Sequence, residues 1–95
     1  MSSNTYPGLR DRVVIITGAG QGIGRAYAKH FAAQGAIPVI AEFNAEAGEH
    51  VAAEVKAAGG RALFVKTDVA DEASTKAMAQ AALDAFGRID CLINN

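Results

Sequence analysis

A glycine-rich turn set between a wholly apolar run and an amphipathic stretch limits how this chain can fold more than any other feature. Val13-Val14-Ile15-Ile16-Thr17 leads into Gly18-Ala19-Gly20-Gln21-Gly22-Ile23-Gly24, and a helical pattern then runs from about Ile23 to Gln34. A strand that is apolar at every position, rather than at alternate ones, is expected to be covered on both faces, as strands of parallel sheets are. Parallel neighbours in turn require crossover connections, usually helices.

The rest of the chain repeats that alternation. Further strands are predicted at Ile37–Glu42, Ala62–Lys66 and Ile89–Ile93. Pro38 is an anomaly in the second strand because it removes a ladder donor, tolerable near a strand start. Asn44 is a plausible N-cap for a helix over Ala45–Ala58, with Val51, Val55 and Ala58 toward the sheet. Asp71 is expected to cap a third helix reaching Phe86, with Met78, Leu83 and Phe86 as its buried stripe. Gly35, Gly59-Gly60 and Gly87 follow the three helices, where glycine can take the left-handed conformation that ends them. The order β-α-β-α-β-α-β predicts the α/β class. Specifically, it predicts part of a Rossmann-type doubly wound parallel sheet with strand order 3-2-1-4. Residues 1–10 read as a loose polar leader, and residues 11–95 as one partial domain.

Composition narrows the function classes. With 95 residues there is room for one small domain, and 51% hydrophobic with 20% charged residues is ordinary globular content. The net charge of -1 and the lack of a basic patch argue against nucleic acid as a partner. No apolar run approaches the roughly 20 residues that span a bilayer, and the first residues lack the pattern of a signal peptide. A membrane partner is therefore not expected, and a cytoplasmic protein is. The single cysteine, Cys91, fits a reducing compartment and reads as a small buried hydrophobe within Ile89-Asp90-Cys91-Leu92-Ile93. His30 and His50 are expected at the surface, and no cluster has metal-ligand spacing.

The glycine turn has the context of a dinucleotide-binding loop, since a strand precedes it and a helix follows. Gly18 allows the tight turn out of the strand, and Gly22 lets the backbone approach a phosphate. Gly24 allows the helix to sit close to the sheet. The helix start then offers N–H groups and a partial positive charge to a pyrophosphate. A phosphate-binding P-loop would need Lys and then Ser or Thr after the last glycine, but Arg25 and Ala26 follow Gly24. Glu42, at the end of the second strand, stands where a carboxylate would accept hydrogen bonds from the adenosine ribose and repel a 2′-phosphate. No arginine adjoins it and Gln21 is neutral, so NAD is favoured over NADP.

Taken together, these motifs resemble those of the short-chain dehydrogenase/reductase family. Thr17 to Gly24 matches the family's Thr-Gly-x-x-x-Gly-x-Gly loop, and Asp68-Val69 its adenine-contacting pair. Leu92-Ile93-Asn94-Asn95 matches the first half of its Asn-Asn-Ala-Gly motif. The resemblance implies that Gly18, Gln21, Gly22, Ile23 and Gly24 line the pyrophosphate and that Glu42 holds the adenosine ribose. It also implies that Asp68 accepts from the adenine amino group, that Val69 lies beside the ring and that Asn95 contacts the nicotinamide ribose. Asn94 and Thr17 are expected to brace the sheet and loops.

The family's chemistry moves a hydride between the nicotinamide and an alcohol or carbonyl carbon. A tyrosine handles the proton, a lysine four residues later lowers its pKa, and a serine orients the substrate. Tyr6 is followed four residues on by Arg10, and Tyr27 by Phe31, so neither supplies that pair. No catalytic residue is therefore assigned. The chain reads as the cofactor-binding first part of a longer oxidoreductase, inactive by itself, whose small alcohol or carbonyl substrate is set elsewhere. The resemblance further implies a homo-oligomeric full-length protein. A non-catalytic dinucleotide-binding or sensor module is the alternative. A methyltransferase of similar fold accounts less well for Thr17-Gly18 together with Asn94-Asn95. Because only the third helix would cover the second sheet face, the fourth strand is expected to present an apolar edge, and the isolated chain to be marginally stable.

Overall fold

The computed structural model describes residues 7–95; of the stretch expected as a leader, residues 1–6 lie outside it. Pro7–Leu9 form a single 3-10 turn, and Leu9 packs against the core. The remaining elements are β1 (Val13–Thr17), α1 (Gly22–Ala33), β2 (Ile37–Glu42), α2 (Ala45–Ala57), β3 (Leu63–Lys66), α3 (Glu72–Phe86) and β4 (Cys91–Ile93). All strand pairs are parallel, in the order β3-β2-β1-β4. This is the doubly wound Rossmann-type arrangement expected from the alternation of strands and helices.

Both faces of β1 and β2 are covered, as their unbroken apolar runs require. Val14, Ile16 and Ile40 point to one side and pack with Ala28 of α1 and with Val51 and Val55 of α2. Val13, Ile15, Ile37 and Val39 point to the other and pack with Met78 and Ala82 of α3. All of these side chains are buried. Successive side chains alternate across the sheet, so a two-sided core needs apolar residues at odd and even positions alike.

Pro38 sits in an inner strand, and the ladder shows why it is tolerated. The Ile37 N–H donates to the Arg12 carbonyl on the β1 side at 2.7 Å. Alternation therefore turns the nitrogen of residue 38 toward β3. There the β2–β3 pairing starts only one residue later, at Val39↔Leu63, so no ladder bond is lost.

Helix ends follow the expected chemistry. The Asn44 side chain accepts the Ala47 N–H and the Asp71 side chain accepts the Ala73 N–H, each satisfying a first-turn donor worth about 1 kcal/mol. Gly87 closes α3 with a left-handed φ of 77°.

Several details differ from the sequence reading. Helix α1 begins one residue earlier, at Gly22, and Gln34 is its C-cap; β3 begins at Leu63 rather than Ala62. Ala58 is the exposed C-cap of α2 instead of a sheet-facing residue. On α3 the buried pair is Met78 and Ala82, spaced i, i+4, while Phe86 is half-buried and Leu83 is rotated outward to 41% exposure. Strand β4 is confined to Cys91–Ile93. Cys91 is exposed, not buried, and it lies on β4, an edge strand of the sheet among the described residues. Leu92, opposite Ile15, is 56% exposed, as expected for an uncovered apolar edge.

Candidate functional site: the carboxyl end of the sheet

Ligands of open α/β sheets bind outside the carboxyl ends of the strands, where the chain order reverses. Here β1 is that point: β2 leaves it on one side and β4 pairs on the other. An open cleft of 220 Å³ lies at this end. Its rim and floor are lined by Thr17 and Gly18 at the end of β1, Ala41, Glu42 and Phe43 at the end of β2, Thr67, Asp68 and Val69 after β3, and Asn94 and Asn95 after β4. Gly18, Glu42, Asp68, Val69 and Asn95, singled out in the sequence, thus meet in one cleft. Gln21, Gly22, Ile23 and Gly24 lie at the adjoining start of α1.

The glycine loop makes that start accessible. Gly18 and Gly22 hold left-handed φ values of 65° and 61°, which side chains disfavour. A Cβ on Gly24 would stand 2.3 Å from the Gly18 carbonyl oxygen, so the helix can close onto the loop only without one. The N–H groups of the first helical turn have no partner inside the helix. In α2 and α3 an Asn or Asp side chain takes up part of that deficit. In α1 the N-cap residue, Gln21, makes no side-chain capping bond, and the first turn carries no acid. Helix α1, entered by the loop that leaves the cleft at Gly18, therefore keeps its donors and its partial positive charge free for an anion. These residues fit a dinucleotide pyrophosphate.

Arg25, next after the loop, is not part of this cradle. Its guanidinium forks onto Glu54 of α2, with Nε to Oε1 at 2.8 Å and Nη2 to Oε2 at 2.5 Å. The bidentate bond holds the arginine above its usual range and the Glu54 carboxyl below its own.

Glu42 is fixed by main-chain donors. Its Oε1 accepts the Gly20 N–H at 2.9 Å and its Oε2 accepts the Asn44 N–H at 3.0 Å. Asp68 accepts the Ala70 N–H through Oδ1, and its own N–H donates to the Ser74 hydroxyl. Val69 is 62% exposed in the cleft lining. On the opposite side Thr17 ties β1 to β4. Its hydroxyl oxygen accepts the Asn95 N–H at 3.0 Å, and its proton faces the Ile93 carbonyl and Asn94 Oδ1, each at 3.3 Å. Thr17 and Asn94 are thus bracing residues. The Asn95 side-chain amide reaches the Gly18 carbonyl at 3.4 Å.

Two residues of this site were missed in the sequence. Phe43 lines the same cleft, 63% exposed, and the Lys66 ammonium stands 5.3 Å over its ring. Lys66 is the register partner of Glu42, so the sheet brings a cation beside the strand-end acid. The sequence signal was a large aromatic directly after that acid; the pairing that carries Lys66 there is visible only in three dimensions.

A family profile described as short chain dehydrogenase matches residues 12–95. The chain belongs to the short-chain dehydrogenase family. Among relatives of this short-chain dehydrogenase segment, a 2,5-dichloro-2,5-cyclohexadiene-1,4-diol dehydrogenase of Sphingobium indicum is 46% identical over 86 residues, covering 90% of this chain and 34% of that protein. A 7alpha-hydroxysteroid dehydrogenase of Escherichia coli is 40% identical over 87 residues, covering 92% and 34%. In three dimensions, a short-chain dehydrogenase/reductase from Burkholderia phymatum in complex with NAD superimposes with a TM-score of 0.86 at 39% identity, over 88% of this chain and 30% of that one. A 3-ketoacyl-(acyl-carrier-protein) reductase from Brucella melitensis, complexed with NADH, gives 0.82 at 42% identity, over 88% and 33%. The short-chain dehydrogenase segment thus spans about a third of the length of the curated relatives it matches. Among its described residues no helix is long and apolar enough to cross a membrane, and no group of His, Cys, Asp and Glu could hold a metal ion.

Proposed function

We propose that this segment binds the dinucleotide of an NAD-dependent short-chain oxidoreductase. The pyrophosphate lies on the free N–H groups of Gly22, Ile23 and Gly24, with Gly18 and Gln21 beside it, and the adenosine ribose against Glu42. Asp68 and Val69 flank the adenine, and Asn95 contacts the nicotinamide ribose. When bound, the dinucleotide supplies the hydride acceptor or donor for an alcohol or carbonyl substrate. Residues 11–95 act as the cofactor-binding part of the domain. The segment by itself holds none of the proton-transfer groups and is expected to be inactive. The whole protein is expected to be a cytoplasmic homo-oligomer.

The observation that carries the choice of NAD is the charge of the cleft. Its lining holds two carboxylates, Glu42 and Asp68, and no basic residue. A 2′-phosphate would meet the Glu42 carboxylate, and unit like charges about 4 Å apart repel by several kcal/mol at a protein surface. Of the cations nearby, Arg25 is held by Glu54, and Lys66 stands over the Phe43 ring beside Glu42 without entering the lining.

Isothermal titration of the full-length protein carrying this segment with NAD and NADP tests the reading. NAD should bind at least tenfold more tightly, and tighter binding of NADP would overturn it. Turnover of alcohols by the full-length protein separates the oxidoreductase from a dinucleotide-binding sensor, which would bind NAD with no turnover.

A further inference from the structure

We infer that Gly20 is a positioning residue for cofactor choice: it leaves room for the Glu42 side chain and, through its N–H, holds that carboxylate at the ribose end of the cleft. The inference rests on the dinucleotide reading above and concerns a loop position to which that reading gives no role.

Gly20 differs from its neighbours in why it must be glycine. Gly18 and Gly22 have left-handed backbones, whereas Gly20 is not among the residues of positive φ, so no left-handed turn demands glycine there. What forbids one is space. A Cβ at Gly20 would stand 2.8 Å from both Cγ and Oε1 of Glu42, and 2.9 Å from the Ala47 Cβ. Ala47 belongs to the first turn of α2, pinned by its N–H bond to Asn44 Oδ1, and has no side-chain freedom with which to yield. Glu42 does, so once the second contact is removed by Ala47→Gly it is the acid that would be displaced.

The displacement would break a specific bond. The Gly20 N–H holds Oε1 and the Asn44 N–H holds Oε2, so the loop before α1 and the cap of α2 clamp the carboxylate from two sides. The extra methylene of glutamate is what lets a strand-end acid reach across to the loop. A clamped carboxylate keeps its remaining lone pairs aimed at the ribose hydroxyls with little rotamer entropy lost on binding, and keeps its negative charge where it repels a 2′-phosphate.

The test uses the full-length protein and binding alone, with NAD and NADP titrated calorimetrically against wild type, against Ala47→Gly, which removes the second contact, and against Gly20→Ala, Glu42→Gln and their combination in the Ala47→Gly background. In that background Gly20→Ala should weaken NAD roughly tenfold, the scale of one hydrogen bond to a charged group. NADP should change little, so the preference falls toward that of Glu42→Gln, and the combination should lose little more. Equal weakening of both dinucleotides by Gly20→Ala would overturn the inference while leaving the dinucleotide reading intact. Wild type that binds neither would overturn both. Should Gly20→Ala fail to fold, amide exchange decides. The Gly20 N–H should be protected in ligand-free wild type and lose protection in Glu42→Ala, which has no acceptor, and equal protection in the two would refute the clamp.

Discussion

The hydroxyl oxygen of Thr17 accepts the Asn95 N–H at 3.0 Å, joining the last residue of β1 to the residues that follow β4, immediately before the glycine loop. Thr17 is only 6% exposed, and its proton has both the Ile93 carbonyl and Asn94 Oδ1 within reach. Thr17→Val keeps the shape and removes both functions. It should cost about 1–2 kcal/mol in urea unfolding, because partners are left without a bond. Dinucleotide affinity should fall several-fold as Asn95 loosens. An unchanged unfolding midpoint would show that the link carries no weight.

Gly24→Ala should abolish dinucleotide binding while leaving most of the secondary structure intact. The added methyl would meet backbone, the Gly18 carbonyl, and the Asn95 amide at 2.8 Å, so the helix start must move off the loop. A loss of at least tenfold in NAD affinity, with far-ultraviolet circular dichroism unchanged, is expected. Wild-type affinity in this variant would mean that the phosphates do not rest where α1 begins.

Gly48→Ala should destabilise the fold without a direct effect on the cleft. A Cβ there would stand 2.2 Å from Cε1 of Phe64, and the ring is wedged between α2 and β3. Overpacking of this kind costs about 1–3 kcal/mol. Pairing it with Phe64→Leu should recover part of the loss, and strict additivity of the two changes would argue against a steric cause.

Asp90 sets the acid limit of the β1–β4 junction. The Arg88 guanidinium, the Val13 N–H and Arg12 together hold its carboxyl well below the usual carboxylate range. A carboxyl whose pKa is lowered by folding stabilises fully above its unfolded value, about 3.9, and loses that contribution as pH falls toward the folded one. Stability should therefore decline as pH drops below about 4 and still be declining near about pH 2. Asp90→Asn should give a shallower decline, read as urea midpoints across that window. Parallel curves for the two proteins would assign the acid sensitivity elsewhere.

Leu92→Lys should raise the solubility of the isolated chain. The leucine is 56% exposed on an edge strand, next to the exposed Cys91, and such an edge offers unpaired backbone groups to a second chain. Light scattering at increasing concentration should show less association in the variant. If both associate equally, the apolar edge is not the cause.

How much could be read without coordinates depended on the range of the interaction. Strand order and helix caps were legible because apolar runs, Asn44 and Asp71 act locally, and because right-handed crossovers leave few topologies, whereas Asp68 and Asn95 were picked out only by the resemblance to the family. The outward turn of Leu83 was not, since Met78 and Ala82 already fill the i, i+4 stripe and a helix buries only what the sheet meets. Cys91 was misjudged because its apolar neighbours say nothing of what lies across an edge. The clamp on Glu42 was also out of reach, as it joins residues 22 positions apart through a main-chain donor.

Pro38 has a consequence for register. With no proton to offer on the β3 side, it bars β3 from sliding by two residues toward the start of β2, and a slide by one would turn Phe64 and Val65 onto the wrong faces. An imino acid that looks like a flaw in an inner strand therefore works against one wrong height of the third strand, and with it against a misplaced Asp68 and Val69 at the cleft.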